Sequence, residues 1–254
     1  VSALAPLLAQ WPAPAGIHAL QTTRAGGVSP APYDTLNLGG NTGDEPAHVA
    51  ENRRRLREQL GLPSEPLWLR QVHGVTVQEA VNIAAEPPCA DAACTTQAGV
   101  VCAVLTADCL PVLFCSDDGQ WLAAAHAGWR GLAAGVLEAT LARASRPPAR
   151  LLAWLGAAIG PAHFEVGPEV RAAFVQAHEE DAMAFAPGHD GRWQADLYQL
   201  ARLRLARAGV SRVYGGGLCT YADAQRFYSF RRACHRQAPE TGRMATLIWR
   251  ALPG

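Results

Sequence analysis

An α+β fold, a layered α/β sandwich with mixed β-sheets, is what this sequence predicts, and three observations predict it. The chain has 254 residues, 49% hydrophobic and 17% charged, which is enough to bury a substantial core and reads as one domain over residues 1–254. Apolar, β-branched runs follow one another in the middle of the chain, where a doubly wound fold would alternate them with helices. Helical patterns bounded by caps and glycines lie on either side of those runs.

Taken in order, residues 17–22 read as a first strand, closed by Arg24 and the Gly26-Gly27 turn. Asp44 is placed to cap a helix with Pro46 in its first turn, running through Val49, Arg53, Leu56 and Leu60 to a stop at Gly61. Arg53, Arg54 and Arg55 form its solvated face. Strands follow at residues 100–106, 111–115 and 121–125, the last two joined by a hairpin at Asp117-Asp118-Gly119. A helix is predicted over 131–144 and a strand over 151–159, ending at Gly160-Pro161. Helices over 168–178 and 196–208 precede a short strand at 210–214. The run Gly215-Gly216-Gly217 lacks the spacing of a dinucleotide loop and reads as a turn, and a last strand spans 246–249.

Charge and residue usage exclude several functions. The 22 Lys+Arg balance 22 Asp+Glu, so a basic nucleic-acid surface is not expected. The chain contains no lysine, which removes Schiff-base chemistry, a pyridoxal phosphate anchor and the P-loop lysine. Any phosphate must be held by arginine, backbone N–H groups, hydroxyls or a metal. Seven cysteines, an odd number in a chain too long to need disulfide staples, read as a reduced thiol set. With no signal peptide and no apolar run of membrane-spanning length, a soluble, cytoplasmic protein is expected.

Three residues carry the chemistry: His73 in Gln71-Val72-His73-Gly74, Cys109 in Thr106-Ala107-Asp108-Cys109, and His126 in the segment from Ala125 to Gly131. A hairpin centred on Asp118 and Gly119 puts Cys109 opposite Gly128 and His126 opposite Pro111. Cys109 and His126 then become diagonal neighbours with Cβ atoms roughly 7–8 Å apart or somewhat less. Pro111 complicates this register, because proline disrupts a ladder or marks an edge or bulge. Two imidazoles and a thiolate make a three-ligand set for zinc with one open position, a catalytic type of site. The same residues also fit a nucleophilic Cys109 with His126 as its base and Asp91 or Asp108 orienting the imidazole, or a buried cysteine packed beside a satisfied histidine. Gly128 to Gly131 opens a helix, where free N–H groups and Arg130 are placed to hold an anion.

The remaining cysteines and histidines carry less. Cys89 and Cys94 have no second pair to complete a metal site, and Cys102 and Cys115 sit in apolar strands as core residues. Cys219 and Cys234 read as structural or incidental thiols. His163, His178, His189 and His235 have no evident partner in the sequence.

Motifs in order along nearly the whole chain resemble the bacterial laccase-domain family, whose members are also named polyphenol oxidases and zinc-containing purine nucleoside phosphorylases. They include Thr22-Thr23-Arg24, Leu36-Asn37-Leu38-Gly39, Gln71-Val72-His73-Gly74, Ala90-Asp91-Ala92, Thr106 to Pro111, His126 to Gly131, Tyr228 to Arg232 and Thr241-Gly242-Arg243. The resemblance implies that His73, Cys109 and His126 are metal ligands, for zinc or alternatively copper. It implies phosphorolysis of adenosine, inosine and 5′-methylthioadenosine, with adenosine deamination as a side activity and a nucleoside and phosphate as partners. By motif position, Asp91 or Asp108 would shuttle a proton or orient a ligand histidine, Arg24, Arg130 and Arg231 would hold phosphate, and Asn37 a sugar or base edge.

Other readings stand beside this one. Some relatives look like peptidoglycan editing factors, which implies amide hydrolysis of muramyl-peptide precursors at Cys109 or at the metal. A four-copper laccase is excluded, since the eight histidines include no H-x-H pair, but copper at a His/Cys/His site would still oxidise phenols weakly. A non-enzymatic zinc-stabilised module would need a fourth ligand, and none is evident.

Overall fold

The computed structural model describes residues 3–81 and 86–252. In chain order the strands are β1 (Leu7–Leu8), β2 (Ile17–Gln21), β3 (Val77–Glu79), β4 (Ala92–Thr95), β5 (Val101–Thr106), β6 (Leu110–Ser116), β7 (Leu122–Ala127), β8 (Leu151–Leu155), β9 (Glu165–Val166), β10 (Phe185–Pro187), β11 (Trp193–Ala195), β12 (Arg212–Gly215) and β13 (Met244–Arg250). The α-helices are α1 (Pro46–Leu60), α2 (Trp129–Ala134), α3 (Val136–Leu141), α4 (Pro168–Val175), α5 (Leu197–Arg207) and α6 (Phe230–His235). They make the expected mixed α+β architecture around three sheets, ordered β12-β8-β6-β7-β4-β3, β1-β2-β13-β5 and β10-β11-β9.

Alternation along β6 and β7 shows how the layers stack. Val112, Phe114, Ala123 and Ala125 pack with Leu137, Leu197 and Leu205 of the helices. Leu113, Cys115, Leu122 and Ala124 on the opposite face pack with Cys102, Val104 and Ile248 of the four-stranded sheet. That second sheet buries Val101, Ala103, Leu247 and Trp249 against Leu56 of α1. Helices, sheet, sheet and helix thus succeed one another, and both faces of the central strands are buried. This is why they read as continuous apolar runs.

The hairpin adopts the expected register, with Leu110 paired to Ala127 and Pro111 to His126. Pro111 is accommodated because its carbonyl accepts from Gly156 N at 3.0 Å. The edge lacking an N–H therefore faces the end of β8 and leaves the β6–β7 ladder intact. By alternation His126 continues the face of Leu122 and Ala124, at the end of the space between the two sheets.

Several expectations are corrected. The helix expected over 131–144 is two short helices parted at Gly135, whose φ of +100° turns the chain left-handed. Asp44 does not cap α1, where Glu45 holds the N-cap position. Its carboxylate instead accepts from Ser29 Oγ at 2.6 Å and Asn37 Nδ2 at 3.0 Å. Arg53 leaves the solvated face and lies over the Trp68 ring at 4.2 Å. Strand β4 was not anticipated because its four residues, Ala-Ala-Cys-Thr, carry only one β-branched side chain. Among the described residues, no helix is long and apolar enough to cross a membrane.

Candidate metal centre

His126 reaches the site from the end of β7, Cys109 from the residue before β6, and His73 from a loop at left-handed φ of 61°. One ligand atom from each of the three lies within 4.8 Å of the other two. His73 Nε2 is 3.8 Å from Cys109 Sγ, and the His73 and His126 rings meet edge-on with centroids 4.7 Å apart. Gly128 makes the approach possible, since a Cβ there would lie 2.8 Å from His73 Cδ2 and 3.0 Å from Cys109 Sγ. Among the described residues this is the one group of three or more such side chains close enough to share an ion.

Asp91, fully buried just before β4, ties the group together. Its carboxylate lies 2.9 Å from His126 Nδ1, which keeps a proton on Nδ1 and makes Nε2 the nitrogen available to an ion once that nitrogen gives up its own proton. It also accepts from the backbone N–H of Val72 at 3.2 Å, His73 at 2.8 Å and Gly74 at 2.7 Å. One carboxylate therefore orients His126 by its ring and His73 by its main chain. Burial opposes the charge on Asp91, but these hydrogen bonds hold its carboxyl below the usual range. Burial likewise opposes a charged Cys109, yet the facing His126 draws the thiol down to about 6. His126 resists charging by its burial and is pushed up to about 9 by Cys109 and Asp91. Two imidazole nitrogens and a thiolate sulfur, with one tautomer locked, are a donor set that fits a zinc-type ion.

His73, Cys109 and His126 line a cavity of about 640 Å³ together with Trp68, Arg70, Gln71, Phe230 and Arg243. Gln71 holds one wall as a surrogate strand neighbour, donating to Leu105 O at 2.8 Å and accepting from Leu105 N at 2.7 Å. Arg53 and Glu86 complete its charged lining among the described residues.

The other expected site residues lie elsewhere. Asp108 directs its carboxylate to Thr220 Oγ1 at 2.6 Å, Ser229 Oγ at 3.0 Å and Arg231 N at 2.7 Å, so it anchors the segment leading into α6. Arg24 pairs with Asp34 at 2.9 Å and lies over the Tyr228 ring. Asn37 is fully buried, with its amide bonded to Thr42, Asp44, Gly39 N and Arg243 N. Arg231 donates to Glu165 O at 2.9 Å, and the exposed Arg130 folds over Trp129. None of these five lines the cavity. The cations that do, Arg53, Arg70 and Arg243, were not expected at the cavity, although Thr241-Gly242-Arg243 stands among the motifs of the resemblance. Absence of lysine pointed only to arginine in general.

Comparison with known proteins agrees with this architecture. The family described as "Multi-copper polyphenol oxidoreductase laccase" matches residues 18–251. Purine nucleoside phosphorylase PA4543 of Pseudomonas aeruginosa is 55% identical over 247 residues, covering 96% of this chain and 97% of that one. Purine nucleoside phosphorylase YfiH of Escherichia coli is 51% identical over 246 residues, covering 96% and 98%. The crystal structure of Neisseria meningitidis protein NMB0706 superposes with a TM-score of 0.92 at 48% identity, over 97% of this chain and 99% of that one.

Proposed function

This chain belongs to the multi-copper polyphenol oxidoreductase laccase family, and on that premise we propose that it is a purine nucleoside phosphorylase with a zinc site at His73, Cys109 and His126. The observation that carries the reading is the cavity of about 640 Å³ that places this donor set and arginine side chains on one surface. A space of that size suits a nucleoside-sized ligand, and the names of the Pseudomonas aeruginosa and Escherichia coli relatives specify phosphorolysis. Adenosine, inosine and 5′-methylthioadenosine are the proposed substrates, with adenosine deamination as a side activity.

The chain's own residues divide the work. Arg70 carries no hydrogen bond or ion pair from its guanidinium to the described residues, and Arg243 uses only Nη1, on Thr241 O and Gly242 O. These two are proposed to hold phosphate, in place of Arg24, Arg130 and Arg231. Asp91 keeps His73 and His126 in position and His126 in one tautomer. The bound metal would supply Lewis acidity and a water of lowered pKa. Asp108 acts as a positioning residue, holding the chain next to Cys109.

A second reading has its own support. Cys109, His126 and Asp91 also line up as thiol, imidazole and orienting carboxylate, the arrangement of a cysteine hydrolase acting on amides such as muramyl-peptide precursors. The family's description names copper oxidation, yet the described residues offer one mononuclear group, too few donors for a multicopper cluster. Copper there would support at most weak phenol oxidation.

Hypoxanthine release from inosine by zinc-loaded protein, with and without phosphate, tests the reading. Phosphate-dependent release that is stopped by a chelator and lost in His73→Ala is the expected result. Amide hydrolysis that continues under chelation and is lost in Cys109→Ala would replace it with the thiol mechanism.

A further inference from the structure

A second thiol–imidazole pair lies outside the cavity, on two residues the sequence left without partners. Cys219 Sγ is 3.5 Å from His163 Nδ1. The same sulfur accepts from the backbone N–H of Gly160 at 3.2 Å and of Ala222 at 3.4 Å. An imidazole able to exchange the thiol proton, with two amide donors aimed at sulfur, is a setting for nucleophilic rather than inert cysteine. The imidazole is braced from behind, its ring stacked on Tyr221 with centroids 4.6 Å apart. The Tyr221 hydroxyl is in turn 3.0 Å from His235 Nδ1. Cys219 and His163 are both only partly buried.

The pair also stands next to the support of a metal ligand. Ala158 and Cys219 form a parallel bridge, and Thr220 N donates to Ala158 O at 2.9 Å. The two bridged segments grip Asp108 from two sides. Ile159 N donates to the Asp108 carbonyl at 2.9 Å, and Thr220 Oγ1 donates to its carboxylate at 2.6 Å. Cys109 is the next residue. Space beside the sulfur is tight, since a Cβ on Gly160 would lie 3.3 Å from Sγ and 3.1 Å from Cys219 Cβ. An oxygen added to the sulfur on this side would press on the bridge, and through it on Asp108.

We propose that Cys219 is a peroxide-reactive thiol, with His163 as its proton acceptor, whose oxidation loosens the metal centre through Asp108. His163 Nδ1 takes the thiol proton and the sulfur attacks one oxygen of a hydroperoxide. The S–O bond forms as the O–O bond breaks, and the departing oxygen takes the proton back from His163. Cys–SH and ROOH become Cys–SOH and ROH; sulfur loses two electrons and the peroxide gains them.

Exposure alone predicts a different order of reaction, because Cys89 and Cys234 are exposed while Cys219 is only half so. The test treats zinc-loaded full-length protein with limiting hydrogen peroxide, traps sulfenic acid with dimedone and reads each cysteine peptide by mass spectrometry. Cys219 is expected to be labelled about tenfold faster than Cys89 or Cys234, and His163→Gln to bring it to their rate. Zinc release, followed with a chromogenic chelator, is expected to accompany oxidation in the wild type and to be suppressed in Cys219→Ser. Labelling of Cys219 no faster than the two exposed thiols, or unchanged in His163→Gln, overturns the proposal. Equal zinc release from Cys219→Ser overturns the link to the metal centre and places the sensitive thiol at Cys109.

Discussion

Asp91 and His126 are joined by a 2.9 Å hydrogen bond between two buried side chains, and the same carboxylate carries the backbone of His73 at 2.8 Å. Asp91→Asn keeps the volume but presents an amide N–H₂ to groups that are themselves donors. It is expected to weaken zinc binding about 10–100-fold. Competition against a chromogenic chelator measures this, and an unchanged affinity would remove Asp91 from the site.

Metal binding should expel a proton from His126. Without metal, Cys109 titrates at about 6 and His126 at about 9, each working against its burial through the charge of the other. Between those values Cys109 has already lost its proton while His126 still holds one, so one proton leaves when the metal binds. Affinity then rises about tenfold per pH unit across that window, levels off above it and falls more steeply below it. Calorimetry in buffers of different ionisation enthalpy, at about pH 7.5, counts the proton; none released would refute the charge pair.

Gly128→Ala places a Cβ within 3.0 Å of both His73 and Cys109. The hairpin buries the same apolar surface with or without that methyl group, so the melting temperature should change little. Zinc occupancy and purine release should both collapse. A variant that retains full zinc would show that the ligands close up differently.

Arg70→Ala and Arg243→Ala are each expected to raise the KM for phosphate about 10–100-fold, the worth of a charge-assisted hydrogen bond. Arg24→Ala removes an ion pair with Asp34, a hydrogen bond to Ala224 O and a contact with Tyr228. It should lower stability by about 1–3 kcal/mol and leave the phosphate KM alone. The reverse pattern would return phosphate to Arg24.

The hairpin was legible because its information is local. Asp117-Asp118-Gly119 sets the turn, the turn sets the register, and the register aligns Pro111 with His126. The split at Gly135 was not legible, because an isolated glycine inside a helical pattern is as readily tolerated as it is a break. Strand β4 escaped for the opposite reason: its small residues show little strand preference, and burial between β3 and β7 is what makes it a strand.

Residue types determined the available chemistry by themselves: arginine as the only basic side chain besides histidine, and two imidazoles and a thiol as the strongest donor set. Tertiary structure alone decided which groups share a space. Asp91 meets His126 because β4 pairs with β7, His163 meets Cys219 across 56 residues, and Arg243 rather than Arg231 lines the cavity. Contacts of this kind follow from sheet order and layer packing, which couple positions far apart in the chain, whereas turns, caps and periodicity act only over a few neighbouring residues.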